Sequence, residues 1–124
     1  MKFVNRTGRD LTIFRSPEDE IGETYLADGP PAKLDFGTGP TVDVDGMPIR
    51  CEEALRIPLP EDIIGLPAPE PGTLYIVAYP VEVVAAELGR RDCVRMGRER
   101  YTETHPPRIL GAEGFVSSLL DFAV

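Results

Sequence analysis

Five arginines fall within one short segment: Arg90, Arg91, Arg95, Arg98 and Arg100. A guanidinium presents a planar fork of N–H donors that matches the spacing of phosphate oxygens. Arg91, Asp92 and Arg95 are therefore the candidate ligand-binding residues of the chain, suited to a phosphate or a nucleotide. Period-two alternation on an extended strand places Arg91, Cys93 and Arg95 on one face. The competing explanation is a solvated edge strand, in which Asp92 and Glu99 neutralise their neighbours and the arginine stems cover apolar surface.

A second pattern lies at Thr41 to Glu52, where Asp43, Asp45, Gly46 and Glu52 occupy the third, fifth, sixth and twelfth positions of a calcium-binding loop. Calcium requires oxygen ligands at such spacing because the loop must wrap the ion. Thr41 replaces the first acidic ligand, Pro48 interrupts the loop, and both flanks read as strands, so turn chemistry accounts for the pattern and no metal site is expected. His105 is the single histidine, and any imidazole-assisted thiol chemistry would have to join it to Cys51 or Cys93. Thr104-His105-Pro106-Pro107 reads as an exposed loop, and neither cysteine lies in a nucleophile motif. No P-loop, Gly-x-Ser-x-Gly or His-Glu-x-x-His sequence is present, and no cofactor is expected.

The elements that would position these residues are short. Thirteen prolines and twelve glycines divide 124 residues into pieces with strand character, which predicts a small, mainly β, α+β domain spanning 1–124, built of short antiparallel strands with one or two short helices. Lys2 to Asn5 and Leu11 to Phe14, joined by a polar turn, read as an opening hairpin. Ile21 to Ala27 and Ala32 to Phe36 read as strands around Asp28-Gly29-Pro30-Pro31. Thr41 to Val44 and Met47 to Glu52 flank Asp45-Gly46, the signature of a two-residue type I′ hairpin. Pro48 confines the returning strand to an edge, or to pairing through its other side.

Pro58 to Gly72 is a proline-rich connection with a helical turn expected at Glu61 to Ile64. Thr73 to Tyr79 reads as a central strand buried on both faces. Pro80 then opens a helix carrying Val81, Val84, Ala85 and Leu88 on one face, with Gly89 as its stop. Cys93 to Met96, Arg108 to Leu110 and Phe115 to Val124 complete the expected strands.

Charge narrows the function classes. The formal net charge is −8, with 21 acidic and 13 basic residues, so a polyanion would be repelled by most of the surface and nucleic acid is not the expected partner. Residues 1–70 hold 14 Asp and Glu against 7 Lys and Arg, and only the Arg90 to Arg100 segment opposes that field. Acidic clusters at Glu18-Asp19-Glu20 and Glu52-Glu53 raise a further reading, mimicry of phosphates toward a basic partner, against plain solubility. No apolar run is long enough for a membrane span, and two distant cysteines fit reduced thiols in a cytoplasmic setting, with a Cys51 to Cys93 bridge as the alternative.

Three stretches carry a resemblance along the chain: Asn5-Arg6-Thr7-Gly8-Arg9-Asp10-Leu11-Thr12-Ile13, then Leu66-Pro67 through Gly72-Thr73-Leu74-Tyr75-Ile76-Val77 to Arg90-Arg91-Asp92, and Ile109 to Phe115. In this order they resemble a group of small uncharacterised phage and bacterial proteins with an Asn-Leu-Thr-Pro-His-Pro-Val-Thr-Ile opening, an apolar strand, an Arg-Asp ending and a glycine-punctuated final strand. The resemblance implies relatedness and a phage or bacterial origin. Gly8-Arg9-Asp10 stands where that pattern has Pro-His-Pro, and no catalytic residue carries over. The expected function is that of a non-catalytic, acidic accessory protein that binds another protein. The alternative is a small phosphate- or nucleotide-binding domain, or an enzyme, built on the Arg90 to Arg100 segment.

Overall fold

A computed structural model describes residues 1–52 and 57–118, without the side chains of residues 38, 39, 51 and 52. The elements in chain order are β1 (Lys2–Asn5), β2 (Leu11–Phe14), β3 (Glu23–Tyr25), β4 (Lys33–Leu34), β5 (Thr38–Val44), β6 (Met47–Glu52), a 3-10 turn (Pro60–Asp62), β7 (Ile63–Ile64), β8 (Thr73–Ile76), α1 (Tyr79–Glu87), β9 (Cys93–Tyr101) and β10 (Ile109–Val116). The fold is mainly β with one helix, as the sequence predicts.

Six strands form one sheet in the order β1-β8-β9-β10-β2-β3. Its two outer strands meet again through the parallel bridge between Asn5 and Ala27 and the hydrogen bond from the Asp28 N–H to the Asn5 carbonyl, 2.9 Å. The sheet thus curls toward a barrel. Alternation along each strand sends one set of side chains inward. Leu11, Ile13, Leu74, Ile76, Val94 and Ala112 form that inner core, with Phe3, Tyr25, Met96 and Phe115 packed against it. Phe3 stacks on Phe115 with centroids 5.1 Å apart, and Tyr25 meets both rings edge-on.

The other face of β8 is covered as well. Tyr75, Val77, Val4 and Cys93 pack against Val81 and Ala85 of α1, with Ala32, Leu34, Ile63 and Leu66 completing a second core. All four residues of β8 are buried, as on the two-faced central strand expected there, but the strand ends at Ile76 rather than Tyr79, because Ala78 caps α1 and Tyr79 is its exposed first residue. α1 runs where the Val81, Val84, Ala85, Leu88 spacing places it. It crosses over between the parallel neighbours β8 and β9.

Several sequence expectations are corrected. β1 and β2 occupy the predicted residues but do not form a hairpin. β1 pairs in parallel with β8, whereas β2 pairs with β10 and β3. The chain between them crosses the end of the sheet, pinned from below by Asn5. The strand expected over Ala32 to Phe36 contracts to the two residues of β4, which pair with β7. The turn expected at Glu61 to Ile64 is a 3-10 turn at Pro60–Asp62, capped by buried Asp62 accepting the Leu59 N–H at 2.7 Å. Arg108 to Leu110 and the start of Phe115 to Val124 belong to one strand, β10, and residues 119–124 lie outside the described residues. Gly97 marks where β9 and β10 press together, since a Cβ there would clash with the Glu113 carbonyl oxygen.

Candidate functional site

β9 outruns its neighbour. It is in register with β8 only at Tyr75–Cys93 and Ile76–Val94, and the Val77 N–H still reaches the Val94 carbonyl at 2.9 Å. Beyond that point β8 turns into α1 at Ala78, while β9 continues to Tyr101 beside β10 alone. A cleft of about 420 Å³ opens at this step, lined by Thr7, Arg9, Val77, Ala78, Tyr79, Arg95, Met96, Gly97 and Glu99. A neighbouring cleft of about 250 Å³ shares Arg9, Met96 and Glu99 with it. The position, at the carboxyl ends of the parallel strands β1 and β8, is where open α/β sheets leave room for ligands.

The walls are held by named bonds. Asn5 is buried at the end of β1, where its Nδ2 donates to the carbonyls of Arg9 (2.7 Å) and Tyr25 (2.8 Å). Its Oδ1 accepts from the Thr7 N–H (3.0 Å) and the Thr7 hydroxyl (2.7 Å). The loop carrying Arg9 is thereby fixed over the cleft, and the Thr7 hydroxyl is already engaged. On the opposite wall Tyr79 is 63% exposed, and the Arg95 guanidinium lies 4.7 Å from its ring centroid. Arg95 also pairs through Nη1 with Glu82 and donates to the Ser118 hydroxyl at 3.1 Å. Glu99 accepts a hydrogen bond from the Tyr101 hydroxyl, which raises the Tyr101 pKa.

The arginines predicted to act together are dispersed. Asp92 immediately precedes β9 and does not line the cleft; it forms a two-point ion pair with Arg90 (2.8 Å for each contact) that raises the Arg90 pKa. Arg90 also donates to the Pro67 carbonyl at 3.0 Å, so this pair fastens the proline-rich connection to the start of β9. Arg91 is exposed next to it. Asp92 and Arg95 are three residues apart, an odd spacing that turns them to opposite faces of an extended chain. Of Arg91, Asp92 and Arg95, only Arg95 lines the cleft.

Arg100 has a further task. It lies 3.9 Å over the Phe14 ring and donates to the carbonyls of Asp19 (2.6 Å), Pro17 (3.0 Å) and Ser16 (3.3 Å). The acidic Glu18-Asp19-Glu20 loop is thus clamped by its backbone. Arg9 and the Asn5 network were not among the predicted site residues. Their signal, Asn5-x-Thr7-x-Arg9, is an Asx-turn pattern that reads as ordinary loop chemistry without its three-dimensional setting.

Cys93 is unpaired and buried, and burial, followed by the nearby Asp92 carboxylate, pushes its pKa up to about 12. That is the opposite of nucleophile activation. The Cys51 and Glu52 side chains and all of Glu53 lie outside the described residues. Asp43 and Asp45 belong to a hairpin, with Asp45 at φ 52° and Gly46 at φ 81°, the left-handed pair a type I′ turn requires. Among the described residues no group of three or more His, Cys, Asp or Glu could hold a metal ion.

That hairpin is the second notable feature. β5 and β6 form a separate two-stranded sheet. Val42 opposes Ile49 and Val44 opposes Met47, so the four share one face. Each is 47% to 64% exposed. The opposite face carries Thr41, Asp43, Pro48 and Arg50.

No protein-family model matches the chain, and comparison with curated proteins and with solved structures gives no significant match. Among the described residues no helix is long and apolar enough to cross a membrane.

Proposed function

We propose that this is a non-catalytic binding protein that docks the apolar face of its β5–β6 arm onto another protein, in the phage or bacterial setting that the sequence resemblance implies. The observation that carries this reading is the arm itself: four apolar side chains aligned on one face of a hairpin that, among the described residues, forms a sheet of its own. An isolated two-stranded hairpin is marginal in water, so an apolar stripe on one gains stability when a partner covers it.

A second copy of the chain is the weaker fit. The stripe offers on the order of a few hundred Å², so two such faces together fall short of the roughly 1,200 Å² a stable interface buries. The arm tip carries Asp43 and Asp45, and the chain has a net charge of −8. A partner with an apolar groove rimmed by basic side chains meets both features. Pro48 lacks an N–H and faces outward in the alternation of the ladder, which leaves the outer edge of β5 as the side open to an added strand.

The test places a photo-crosslinking side chain at Met47, with Glu87 of α1 as the control position. The expected result is one discrete adduct from bacterial lysate, competed by unmodified protein. A variant with Val42→Ser and Ile49→Ser should compete at least about tenfold less well, as removal of two buried apolar side chains implies. Equal adducts from both positions, or undiminished competition by the double variant, would overturn the reading. A self-adduct would replace the outside partner with a second copy.

A further inference from the structure

We infer that the cleft beside the end of β8 binds a small phosphorylated compound carrying a planar ring, of the nucleoside monophosphate class. Its volume of about 420 Å³ lies in the range of small-molecule sites, and it continues into a second cleft through Arg9, Met96 and Glu99. Four side chains divide the recognition. Arg9 is exposed at the rim, on a loop that buried Asn5 holds through the Arg9 carbonyl. Arg95 faces it from β9. Arg9 supplies the anion-binding charge at the rim, and Arg95, ion-paired through Nη1 with Glu82, adds a guanidinium edge to the same side of the cleft.

Tyr79 supplies the ring surface. Arg95 lies against it, and the ring is still 63% exposed, which leaves aromatic surface on which a planar ring can stack. Glu99 adds an acceptor between the two clefts, the group that sugar hydroxyls would meet. The floor is apolar, formed by Val77, Ala78 and Met96. A bare phosphate would use the arginines and make no contact with Tyr79 or Glu99. A ring-bearing nucleotide uses all four. Neither Arg91 nor Asp92 takes part: neither lines the cleft, and Asp92 is held by Arg90 just before β9.

The experiment is calorimetric titration of the full chain with adenosine and uridine 5′-monophosphate, ribose 5-phosphate and inorganic phosphate, with thermal unfolding as the check that each variant folds. Both nucleotides should bind, more tightly than ribose 5-phosphate or phosphate. Arg9→Ala should weaken nucleotide binding about tenfold or more, the effect of losing a charge-assisted bond. Tyr79→Ala should weaken it about fivefold or more and leave phosphate binding unchanged, as loss of a stacking surface requires. Both residues are exposed, so neither variant opens the core. Arg95 is left intact because Glu82 depends on it. Absence of nucleotide binding at about 10 mM, where a millimolar site would be mostly filled, would overturn the inference. So would binding that neither variant alters, and equal affinity for ribose 5-phosphate would remove the ring from it.

Discussion

The Glu82 carboxylate, inside the first turns of α1 and only 1% exposed, is closed over by the Arg95 guanidinium reaching across from β9. Ser118 completes the enclosure, its N–H donating at 3.1 Å and its hydroxyl at 2.8 Å. One carboxylate thereby joins the crossover helix, the strand that follows it and the chain beyond β10. The same contact fixes Arg95 as a wall of the cleft, so a structural ion pair and a recognition surface share one side chain.

Removing either partner leaves the other with an uncompensated charge. Arg95→Ala should cost roughly 2–3 kcal/mol, less than the 3–5 of a fully buried pair because Arg95 is partly solvated. Glu82→Gln keeps the shape and some acceptor capacity and should cost less than Arg95→Ala. Denaturant unfolding of both variants decides the matter, and a change under about 0.5 kcal/mol for Arg95→Ala would show that Glu82 does not depend on Arg95 for its compensation.

Cys93 predicts the alkaline limit of the fold. Its thiol pKa is raised from 9.0 to about 12, first by burial and second by the Asp92 carboxylate. A raised folded-state pKa means that the native chain holds its proton where the unfolded chain has released it. Stability should therefore be intact below about pH 9 and fall as the pH rises toward 12. Tyr75 and Tyr25, both shifted upward mainly by burial, act in the same direction. In a Cys51→Ser background, native protein at about pH 8 should not react with a disulfide reagent, and one thiol should appear on denaturation. Rapid labelling of the native protein would contradict the buried placement.

Most elements were legible in the sequence, while their partners were not. The β8 run, the α1 spacing and the Asp45-Gly46 turn are signals complete within a dozen residues, and each appears at its predicted place, although β8 ends at Ile76 and yields Tyr79 to α1. β1 and β2 look like a hairpin because a polar turn joins them, but their partners, β8 and β10, are distant in sequence, and local pattern carries no information about such pairings. β10 was split because Gly111 and Gly114 interrupt a strand signal that close packing against β9 restores. The cleft was legible in part: Arg95, one of the three candidate ligand-binding residues, lines it. Grouping Asp92 with Arg95 overlooked the odd spacing that turns them to opposite faces of an extended chain, and that Arg90 already holds Asp92.

Asn5 provides the sharpest separation of structure from recognition. It is 2% exposed, and its side chain makes four hydrogen bonds, to Arg9, to Tyr25 and two to Thr7. Asn5→Ala strands the Arg9 and Tyr25 carbonyls at the seam where β1 meets β3, at a cost of roughly 2–4 kcal/mol. Asn5→Asp retains the acceptor for Thr7, loses both donations and brings a carboxylate oxygen against the two carbonyls, so it should be at least as damaging. Substituting Thr7→Val removes only the hydroxyl and should cost about 1 kcal/mol. Amide hydrogen exchange at Asp28 locates the effect, because its N–H bonds to the Asn5 carbonyl across the seam. If Asn5 closes the curled sheet, protection of Asp28 should fall in Asn5→Ala by more than global stability does. If protection there falls only in step with global unfolding, Asn5 is a core residue like its neighbours and the seam is held by the backbone bridge alone.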